Sequence, residues 1–568
     1  MDDMAEEQHE RTCHRDAQTH HRHTHAAGSR HEGGHHLLQV EGLEVGFRMY
    51  DEDAPFFRAK RRVVPVIEDM SISVHAGEIV AVVGASGSGK TLLVDAVFGL
   101  FESNAVVRGR IWFDGVRQDA ASLSRLRGRG ISLVPQSVNH LDPLMKVGRQ
   151  VEGFARSGVS PSARRARRRE LFARYGLDEE TAGLYPHQLS GGMARRVLLC
   201  CALMDDPRII VADEPTPGLD LDLAVRALED FRAFADAGGG VLLVTHDIEL
   251  ALRAADRVAV FKDGTVIEET AVASFACPDL LAHPFSRALW HALPEHGFAA
   301  GEPEALGAAA MASGCASGVP ADESAPGAAG APAPDTGAVL RCSPQDADAR
   351  RPPSRRRRAS GKEAGRALEA RDVTYAHPGA SAPLYRGFNM AVRPGERVAL
   401  SAPSGFGKTT LCRLLAGYER PQAGSVLADG VPLPKRGACP VQLVFQHPEK
   451  AVDPRMRMAR TLEEAGDVSE RMLDDLGIRR EWLRRYPHEL SGGELQRFCI
   501  ARALAANPCY LVADEISTML DAVTQAQIWR FLADEVDRRG IGLVFVSHSP
   551  ALVDRIATRV VRLDALDG

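Results

Sequence analysis

The stretch Gly84-Ala-Ser-Gly-Ser-Gly-Lys90-Thr91 decides the fold class of this chain. It follows the apolar run Glu78–Val83 and precedes the helical pattern TLLVDAVFGL. In this context the glycines let successive backbone N–H groups converge on phosphate oxygens, and the following helix N-terminus adds partial positive charge. Lys90 can reach the β- and γ-phosphates, and the Thr91 hydroxyl is placed to ligate Mg²⁺. The stretch therefore predicts an α/β domain whose P-loop binds a nucleotide.

Two carboxylates end a second apolar run, Arg208-Ile-Ile-Val-Ala-Asp213-Glu214. The run predicts a buried strand with both acids at its C-terminal tip, which is where α/β sheets bind ligands. Asp213 is suited to holding Mg²⁺ through water, and Glu214 to polarising an attacking water. The pair predicts hydrolysis of the bound nucleotide.

The second half of the chain repeats these features. The matching pairs are Lys90 and Lys408, Gln136 and Gln446, Ser190 and Ser491, Asp213 and Asp514, and His246 and His548. Their separations are 318, 310, 301, 301 and 302 residues. The last three separations are nearly constant, which indicates aligned repeats, and the larger first two indicate that the middle of the second copy is shortened. A duplication of this size predicts two domains that face one another.

The second phosphate loop, Ala402-Pro-Ser-Gly-Phe-Gly-Lys408-Thr409, departs from the first at two positions. Ala402 stands where the first loop has Gly84, and Phe406 stands where it has Ser88. Losing the first glycine removes freedom to adopt positive φ, whereas the lysine, the threonine and the backbone amides remain. Nucleotide binding is expected to persist there with altered geometry.

Composition excludes several classes of protein. With 568 residues, 45% hydrophobic and 25% charged, and a formal charge of −6, the chain is neither wholly disordered nor fibrous. No apolar stretch approaches the roughly 18–20 residues of a membrane span, and the N-terminus lacks the apolar core of a signal peptide. The 10 cysteines contain no Cys-x-x-Cys, which argues against a disulfide framework or a cysteine-ligated cluster. We expect a soluble, cytosolic protein.

Composition also divides the chain. Residues 1–36 form a polar, histidine-rich tail that is expected to be disordered, and residues 299–365 an Ala/Gly/Pro-rich linker that is expected to be disordered. The two α/β domains then cover residues 37–298 and 366–568. The tail either binds Ni²⁺, Cu²⁺ or Zn²⁺ through its imidazoles or is merely solvated. The basic runs Arg164–Arg169 and Arg355–Arg358 are interpreted as solvated faces, with contact to anionic lipid headgroups as the alternative.

One further motif makes the family resemblance specific. Leu189-Ser-Gly-Gly-Met193 and Leu490-Ser-Gly-Gly-Glu494 each precede a helical pattern, then the strand with the paired acids, then a strand ending in His246 or His548. This combination resembles the ATP-binding-cassette (ABC) family over nearly all of both predicted domains. The resemblance implies two P-loop NTPase domains of ABC type, each with a RecA-like core, an antiparallel β subdomain and a helical signature subdomain. It implies hydrolysis of ATP to ADP and phosphate, with ATP and Mg²⁺ as cofactors.

The resemblance also implies the role of each motif residue. The catalytic residues would be Glu214, His246, Glu515 and His548. Phosphate and signature contacts of the first copy would come from Gly84, Ala85, Ser86, Gly87, Ser88, Gly89, Lys90, Thr91, Gln136, Ser190, Gly191, Gly192 and Asp213. Those of the second would come from Ala402, Pro403, Ser404, Gly405, Phe406, Gly407, Lys408, Thr409, Gln446, Ser491, Gly492, Gly493 and Asp514. The Mg²⁺ ligands would be Thr91, Gln136, Asp213, Thr409, Gln446 and Asp514.

Other residues are assigned by the same resemblance. Phe47 and Tyr375 would stack on adenine, with a packed strand residue as the alternative for Phe47. Asp220 and Asp521 resemble the D-loop aspartates at the seam between the domains. Antiparallel facing would pair the phosphate loop of each domain with the Ser-Gly-Gly signature of the other. Met193 replaces the usual Glu or Gln in the signature that serves the second loop, so the second site is expected to be the weaker.

The linker and the segment at the end of the first domain narrow the choice of protein class within the family. An Ala/Gly/Pro-rich linker cannot form the long charged helix of translation-associated ABC proteins, and the zinc modules and iron–sulfur domains of other soluble classes are absent from the sequence. The segment Ala282–Pro294 (AHPFSRALWHALP) resembles the tail of peptide and nickel importer ATPases; a plain amphipathic helix is the alternative. The spacing of Gln136 to Asp142-Pro143 resembles that subfamily too.

The implied function is the ATPase of an importer for peptides or for nickel or metal-chelate cargo. Its partners would be two transmembrane permeases and a substrate-binding lipoprotein, without nucleic acid, and the chain would lie peripherally at the cytoplasmic face of the membrane. Two alternatives stay open: the energising module of an ECF-type vitamin or metal importer, and a soluble ABC ATPase acting on ribosomes or DNA.

Overall fold

The computed structural model describes residues 36–50, 61–84, 88–153, 159–205, 207–216, 219, 221–298, 365–380, 382–403, 406–517 and 520–563. Several predictions lie outside these residues: the tail before residue 36, residues 299–364 of the linker with its arginine run, and Ala85, Ser86, Gly87, Asp220, Ser404 and Gly405. The first strand begins at His36, one residue inside the segment that was expected to be disordered.

The first domain alternates strands and helices. Its strands are β1 (His36–Tyr50), β2 (Arg61–His75), β3 (Ile79–Gly84), β4 (Ala105–Phe113), β5 (Val116–Gln118), β6 (Ile131–Val134), β7 (Ile209–Asp213), β8 (Gly240–Val244), β9 (Arg257–Lys262) and β10 (Thr265–Ala271). Its helices are α1 (Lys90–Phe98), α2 (Ala120–Leu126), α3 (Val147–Glu152), α4 (Pro161–Arg174), α5 (Gly191–Ala202), α6 (Leu221–Asp236), α7 (Ile248–Ala254) and α8 (Pro284–Ala292).

A buried sheet with the order β10-β9-β3-β8-β7-β6 forms the centre of the first domain. Its strands are parallel except for β10, which pairs antiparallel with β9. Alternate residues face two different apolar clusters, so the strands read as continuous apolar runs. Val80 and Val82 join the cluster that includes the antiparallel sheet β2-β1-β4-β5, whereas Ile79, Ala81 and Val83 join the helical side.

The second domain repeats this arrangement. Its strands are β11 (Leu368–Tyr375), β12 (Tyr385–Val392), β13 (Arg397–Ser401), β14 (Ala423–Ala428), β15 (Val431–Pro432), β16 (Val441–Val444), β17 (Tyr510–Asp514), β18 (Gly542–Val546) and β19 (Arg559–Arg562). Its helices are α9 (Lys408–Leu415), α10 (Met458–Glu463), α11 (Glu470–Asp475), α12 (Gly492–Ala505), α13 (Ala522–Arg539) and α14 (Pro550–Ile556). The sheets run β16-β17-β18-β13-β19 and β12-β11-β14-β15. The predicted fold class is confirmed.

The interpretation of Arg164–Arg169 as a solvated face is wrong for two of its residues. Arg164 and Arg168 on α4 are only 7% and 5% exposed. The Arg164 guanidinium pairs with Asp205 at 2.7 Å, and that of Arg168 pairs with Glu152 at 2.9 Å and Glu179 at 2.8 Å. Helical periodicity directs these two side chains inward, where carboxylates from neighbouring segments compensate their charge.

Candidate active sites

The first phosphate loop joins the end of β3 to the start of α1. Lys90 is buried, and its Nζ donates a hydrogen bond to the Gly84 carbonyl oxygen at 3.0 Å. Burial lowers the pKa of Lys90, and the negative charges of Glu214, Asp521 and Asp213 oppose that shift. Asp521 belongs to the second domain, and its charge acts on Lys90 of the first phosphate loop.

The first residues of the two phosphate loops differ in backbone conformation, as the replacement of glycine by alanine predicts. Gly84 adopts a φ of 153°, and a Cβ there would lie 1.8 Å from the Phe261 carbonyl oxygen. Only glycine fits this position. Ala402 at the start of the second loop is not among the residues with positive φ. The Lys408 Nζ nevertheless donates to the Ala402 carbonyl oxygen at 2.7 Å, so the lysine keeps its place.

The aspartates that are predicted to bind the metal, Asp213 and Asp514, are the last residues of β7 and β17. Burial, followed by the charges of Glu214 and Asp95, raises the pKa of Asp213 to about 7. The pKa of Asp514 is raised to about 6 by burial and by Glu515. The Oδ1 atom of Asp213 is buried without a hydrogen-bond partner among the described residues. A buried carboxylate oxygen of this kind suits a divalent cation.

Each following glutamate is paired with its predicted histidine. Glu214 Oε2 lies 2.7 Å from His246 Nδ1, and Glu515 Oε1 lies 2.7 Å from His548 Nε2. Burial by itself would raise the pKa of Glu214, but the charge and hydrogen bond of His246 outweigh it and lower that pKa. The same pairing raises the pKa of His246 against the effect of its burial. The first pair therefore favours an ionised glutamate beside a protonated histidine, and in the second pair the contact with His548 lowers the pKa of Glu515.

Backbone strain accompanies these glutamates. Glu214 and Glu515 have φ values of 49° and 47°, which side chains other than glycine rarely adopt. The Glu214 amide donates to the Val244 carbonyl oxygen at 2.8 Å, which holds this turn to the end of β8. Strained residues of this kind concentrate at functional sites, where the surrounding structure imposes them.

The two glutamines that are predicted to bind Mg²⁺, Gln136 and Gln446, make different contacts in the two domains. Gln446 Nε2 donates to Glu515 Oε2 at 2.6 Å, so the second copy brings glutamine, glutamate and histidine together. Gln136 is exposed, and the structure does not bring it to Glu214. Its contact with the metal stays a prediction.

The signature serines both cap the helix that follows them. Ser190 Oγ accepts a hydrogen bond from the Met193 amide at 3.2 Å, and Ser491 Oγ accepts one from the Glu494 amide at 3.3 Å. Glu494, unlike Met193, can form the reciprocal hydrogen bond of a capping box: its Oε2 accepts a hydrogen bond from the Ser491 amide at 2.8 Å. Met193 therefore leaves the start of α5 with a single capping bond. The contact of each signature with the opposite loop stays a prediction.

The assignment of Tyr375 to adenine needs correction. Its side chain is 4% exposed within the apolar core, and its hydroxyl donates to Glu419 at 3.2 Å. It occupies the position of Val45 in the first domain, which is 1% exposed. The error comes from the strand register, because the sequence pattern does not reveal where the bulge in β1 and β11 falls.

His377 is the second-domain counterpart of Phe47. Both are the fifth residue after a position with left-handed φ, Gly42 at 53° and Asp372 at 51°. His377 is exposed, and its Nε2 lies 3.4 Å from Thr410 Oγ1 in the helix after the phosphate loop. Phe47 is half-buried against the core, so the structure permits both interpretations of that residue.

Arg195, which none of the sequence motifs singles out, connects two parts of the first site. Arg195 Nη1 on α5 donates to the Pro135 carbonyl oxygen at 3.3 Å and to the Glu214 carbonyl oxygen at 3.2 Å. In the second domain, Gln496 Nε2 donates a hydrogen bond to the Phe445 carbonyl oxygen at 3.1 Å. Each side chain connects the helix after a signature to the residue that precedes Gln136 or Gln446. The available signal in the sequence was a long polar residue two positions after each signature, Arg195 and Gln496.

The comparison with protein families agrees with this geometry. The ABC transporter profile matches residues 67–217 and 385–518. The chain belongs to the ABC transporter family. It is therefore an ATP-binding enzyme whose ATP hydrolysis is coupled to transport, which confirms the resemblance inferred from the motifs.

Curated relatives extend over most of the chain. The Glutathione import ATP-binding protein GsiA of Salmonella typhimurium (strain LT2) is 30% identical over 571 residues, covering 92% of this chain and 84% of that protein. The protein of the same name from Escherichia coli (strain K12) is 29% identical with the same coverage, 92% and 84%. This chain and its relatives thus share the tandem arrangement of ABC domains.

Solved structures add support for the fold alone. The archaeal ribosome recycling factor aABCE1, in complex with a ribosomal stalk protein, has a TM-score of 0.55 at 19% identity and covers 87% of this chain and 84% of its own. The RNase-L Inhibitor structure has a TM-score of 0.55 at 19% identity, covering 87% and 85%. Within the described residues, none of the helices has the length and apolar character needed to cross a membrane.

Proposed function

We propose that this chain is the ATP-hydrolysing subunit of an importer for peptides. The segment Ala282–Pro294, which resembles the tail of peptide and nickel importer ATPases, carries the proposal. In its support, relatives that match 92% of the chain are named for import of glutathione, which is itself a small peptide. The chain would lie peripherally at the cytoplasmic face of the cell membrane, bound to two separate permeases. A substrate-binding lipoprotein would deliver the cargo to these permeases.

Nickel or a metal chelate is the second candidate cargo. Nine histidines fall within the first 36 residues, and neutral imidazole is a good ligand for Ni²⁺. The tail would then act as a metal store near the transporter, separate from the ATPase sites.

The residues at both strand tips fit Mg²⁺. Asp213 offers a buried oxygen without a partner among the described residues, and Thr91 and Gln136 would complete the protein ligands of the first site. Thr409, Asp514 and Gln446 would serve the second. The Thr409 hydroxyl already lies 3.3 Å from Asp514 Oδ1. When bound, the ion would neutralise the phosphate oxygens and help to orient ATP.

Hydrolysis at the first site follows from the described contacts. Lys90 would bind the β- and γ-phosphates, and Ser491 of the opposite signature would close over the γ-phosphate. Glu214, ionised and fixed by His246, would orient a water and accept its proton as the water oxygen attacks the γ-phosphorus. The bond to the β–γ bridging oxygen would break and ADP would leave. At the second site Glu515 and His548 would take these roles.

Copurification tests this function. We expect the full-length chain, extracted from membranes in mild detergent, to copurify with two membrane-spanning permeases. Leu144, eight residues after Gln136, is 87% exposed, so Leu144→Asp should weaken the association. Leu280→Asp is the matched control, because Leu280 is also well exposed, at 61%.

Other results would favour the alternatives. Copurification of ribosomal proteins or DNA would contradict the importer proposal. A single small-molecule-binding membrane protein with one transmembrane coupler would support the ECF-type alternative instead. Stimulation of ATPase activity in proteoliposomes by a peptide-loaded binding protein, and not by a nickel-loaded one, would decide between the two cargo classes.

A further inference from the structure

The C-terminal extension of the first domain comprises α8 and the turn Pro294–His296, and its own domain holds it firmly. The Trp290 indole Nε1 donates to the Phe275 carbonyl oxygen at 2.9 Å. Glu268 on β10 accepts hydrogen bonds from the amides of Ala282 and His283 at 2.7 and 2.9 Å. These bonds make the extension move with the first domain.

The opposite side of the extension packs on the second domain. Helix α8 contacts α13, and the turn Pro294–His296 contacts α14. Arg555 on α14 donates a hydrogen bond to the Gly297 carbonyl oxygen at 2.9 Å. Leu289 and Leu293 are 2% and 4% exposed. They belong to one apolar cluster that also contains buried residues of α13 and α14, so the cores of the two domains are continuous here.

The contacted helices begin at the predicted site residues of the second domain. Asp521 caps α13 by accepting a hydrogen bond from the Thr524 amide at 3.0 Å. Ser549, next to His548, caps α14. A cavity of about 190 Å³ between the domains is lined by Leu293 and Pro294 and by the two predicted catalytic histidines, His246 and His548. The extension is therefore part of the same interface as Asp521, His246 and His548.

We propose that the extension is a nucleotide-independent joint between the two domains. Its contact consists mainly of buried apolar side chains, whose burial is favourable whether or not ATP is bound. The joint keeps α13 and α14 attached to the first domain when nucleotide leaves. Opening of the ATP sites is then a rotation about this joint. The segments around Asp521 and His548 in the second domain stay next to the first domain during this rotation. This role goes beyond import and holds for any cargo.

Severing the linker tests the joint. A protease site placed within residues 305–345 allows the purified full-length chain to be cut between its domains. Without nucleotide, the two halves should still co-elute in size exclusion. Leu293→Asp should abolish co-elution without nucleotide because it places a charge in the apolar contact. Leu280→Asp, the same change at a residue that is 61% exposed, should leave co-elution intact.

Two results would overturn the joint: separation of the unmodified halves without nucleotide, and co-elution of the Leu293→Asp halves as in the unmodified protein. Hydrogen exchange on β3 and β13 checks that both domains remain folded in each variant. If Leu293→Asp does not fold, the milder variant Leu293→Ala takes its place, alone and combined with Arg555→Ala. The halves of the double variant are expected to associate at least tenfold more weakly than those of the unmodified protein. Unchanged association of these halves overturns the proposal. Because the measurement involves neither membrane partners nor cargo, failure of the joint and failure of the importer proposal are distinguishable.

Discussion

At the scale of single residues, the two glutamate–histidine pairs share one plan but differ in detail. His246 faces its glutamate with Nδ1 and His548 with Nε2, and only the second glutamate also accepts a hydrogen bond from its glutamine. Glu214 instead has its backbone carbonyl held by Arg195. The duplicated motifs therefore do not make two identical sites.

Glu214→Gln separates the two sites. The variant should still bind ATP but should lower turnover by at least about 10²-fold, because an amide cannot accept the proton of the attacking water. Glu515→Gln should have the smaller effect, since the second site combines the departures at Ala402, Phe406 and Met193. Steady-state ATPase assays with equilibrium nucleotide binding measure both quantities.

Glu229→Gln, on an exposed position of α6, is the matched control and should behave as the unmodified protein. Near-normal turnover of Glu214→Gln together with an inactive Glu515→Gln would reverse the expected order of the two sites.

At the scale of elements, α7 carries a carboxylate next to the joint. Burial, with the charges of Asp247 and Glu295, raises the pKa of Glu249 from 4.5 to about 7, and Arg253 partly opposes the shift. The folded protein therefore binds this proton more tightly than the unfolded chain does. The resulting stabilisation is fully present below pH 4.5 and is lost as the pH rises through about 7.

Glu249→Gln should remove this dependence. The variant should melt at the same temperature as the unmodified protein near pH 4.5, and about 1–2 °C higher at pH 8, where the ionised carboxylate is costly in the unmodified protein. Thermal unfolding followed by circular dichroism at both pH values measures the difference, with Glu229→Gln as the exposed control. An equal shift at both pH values would contradict the assignment of the effect to this proton.

At the scale of the whole molecule, the joint changes what is required of the linker. Its composition predicts a flexible chain of about 60 residues with an average span of roughly 40 Å, which can connect domains that are already held together. Replacing residues 305–345 by Gly/Ser of equal length should leave ATPase activity unchanged. Loss of activity in this variant, with both domains folded, would make the linker a structural or regulatory element.

Local sequence patterns were enough to predict the two P-loop domains, their duplication, the phosphate loop with Lys90 and the strand tip with Asp213 and Glu214. These features are local: an apolar run forms a buried strand, and the residues that follow it lie at the edge of the sheet. The family resemblance followed from the order of such motifs, and the family comparison confirmed it.

Only the tertiary structure decided which side chains meet. Because of the bulge in β11, Tyr375 is buried and His377 is exposed. Arg164 and Arg168 are also buried, and carboxylates from other segments pair with them. The contact of α8 with α13 joins elements that are far apart in the chain. Burial and pairing of this kind depend on the register between strands and on the packing of separate elements, and the local pattern of a sequence does not encode either one.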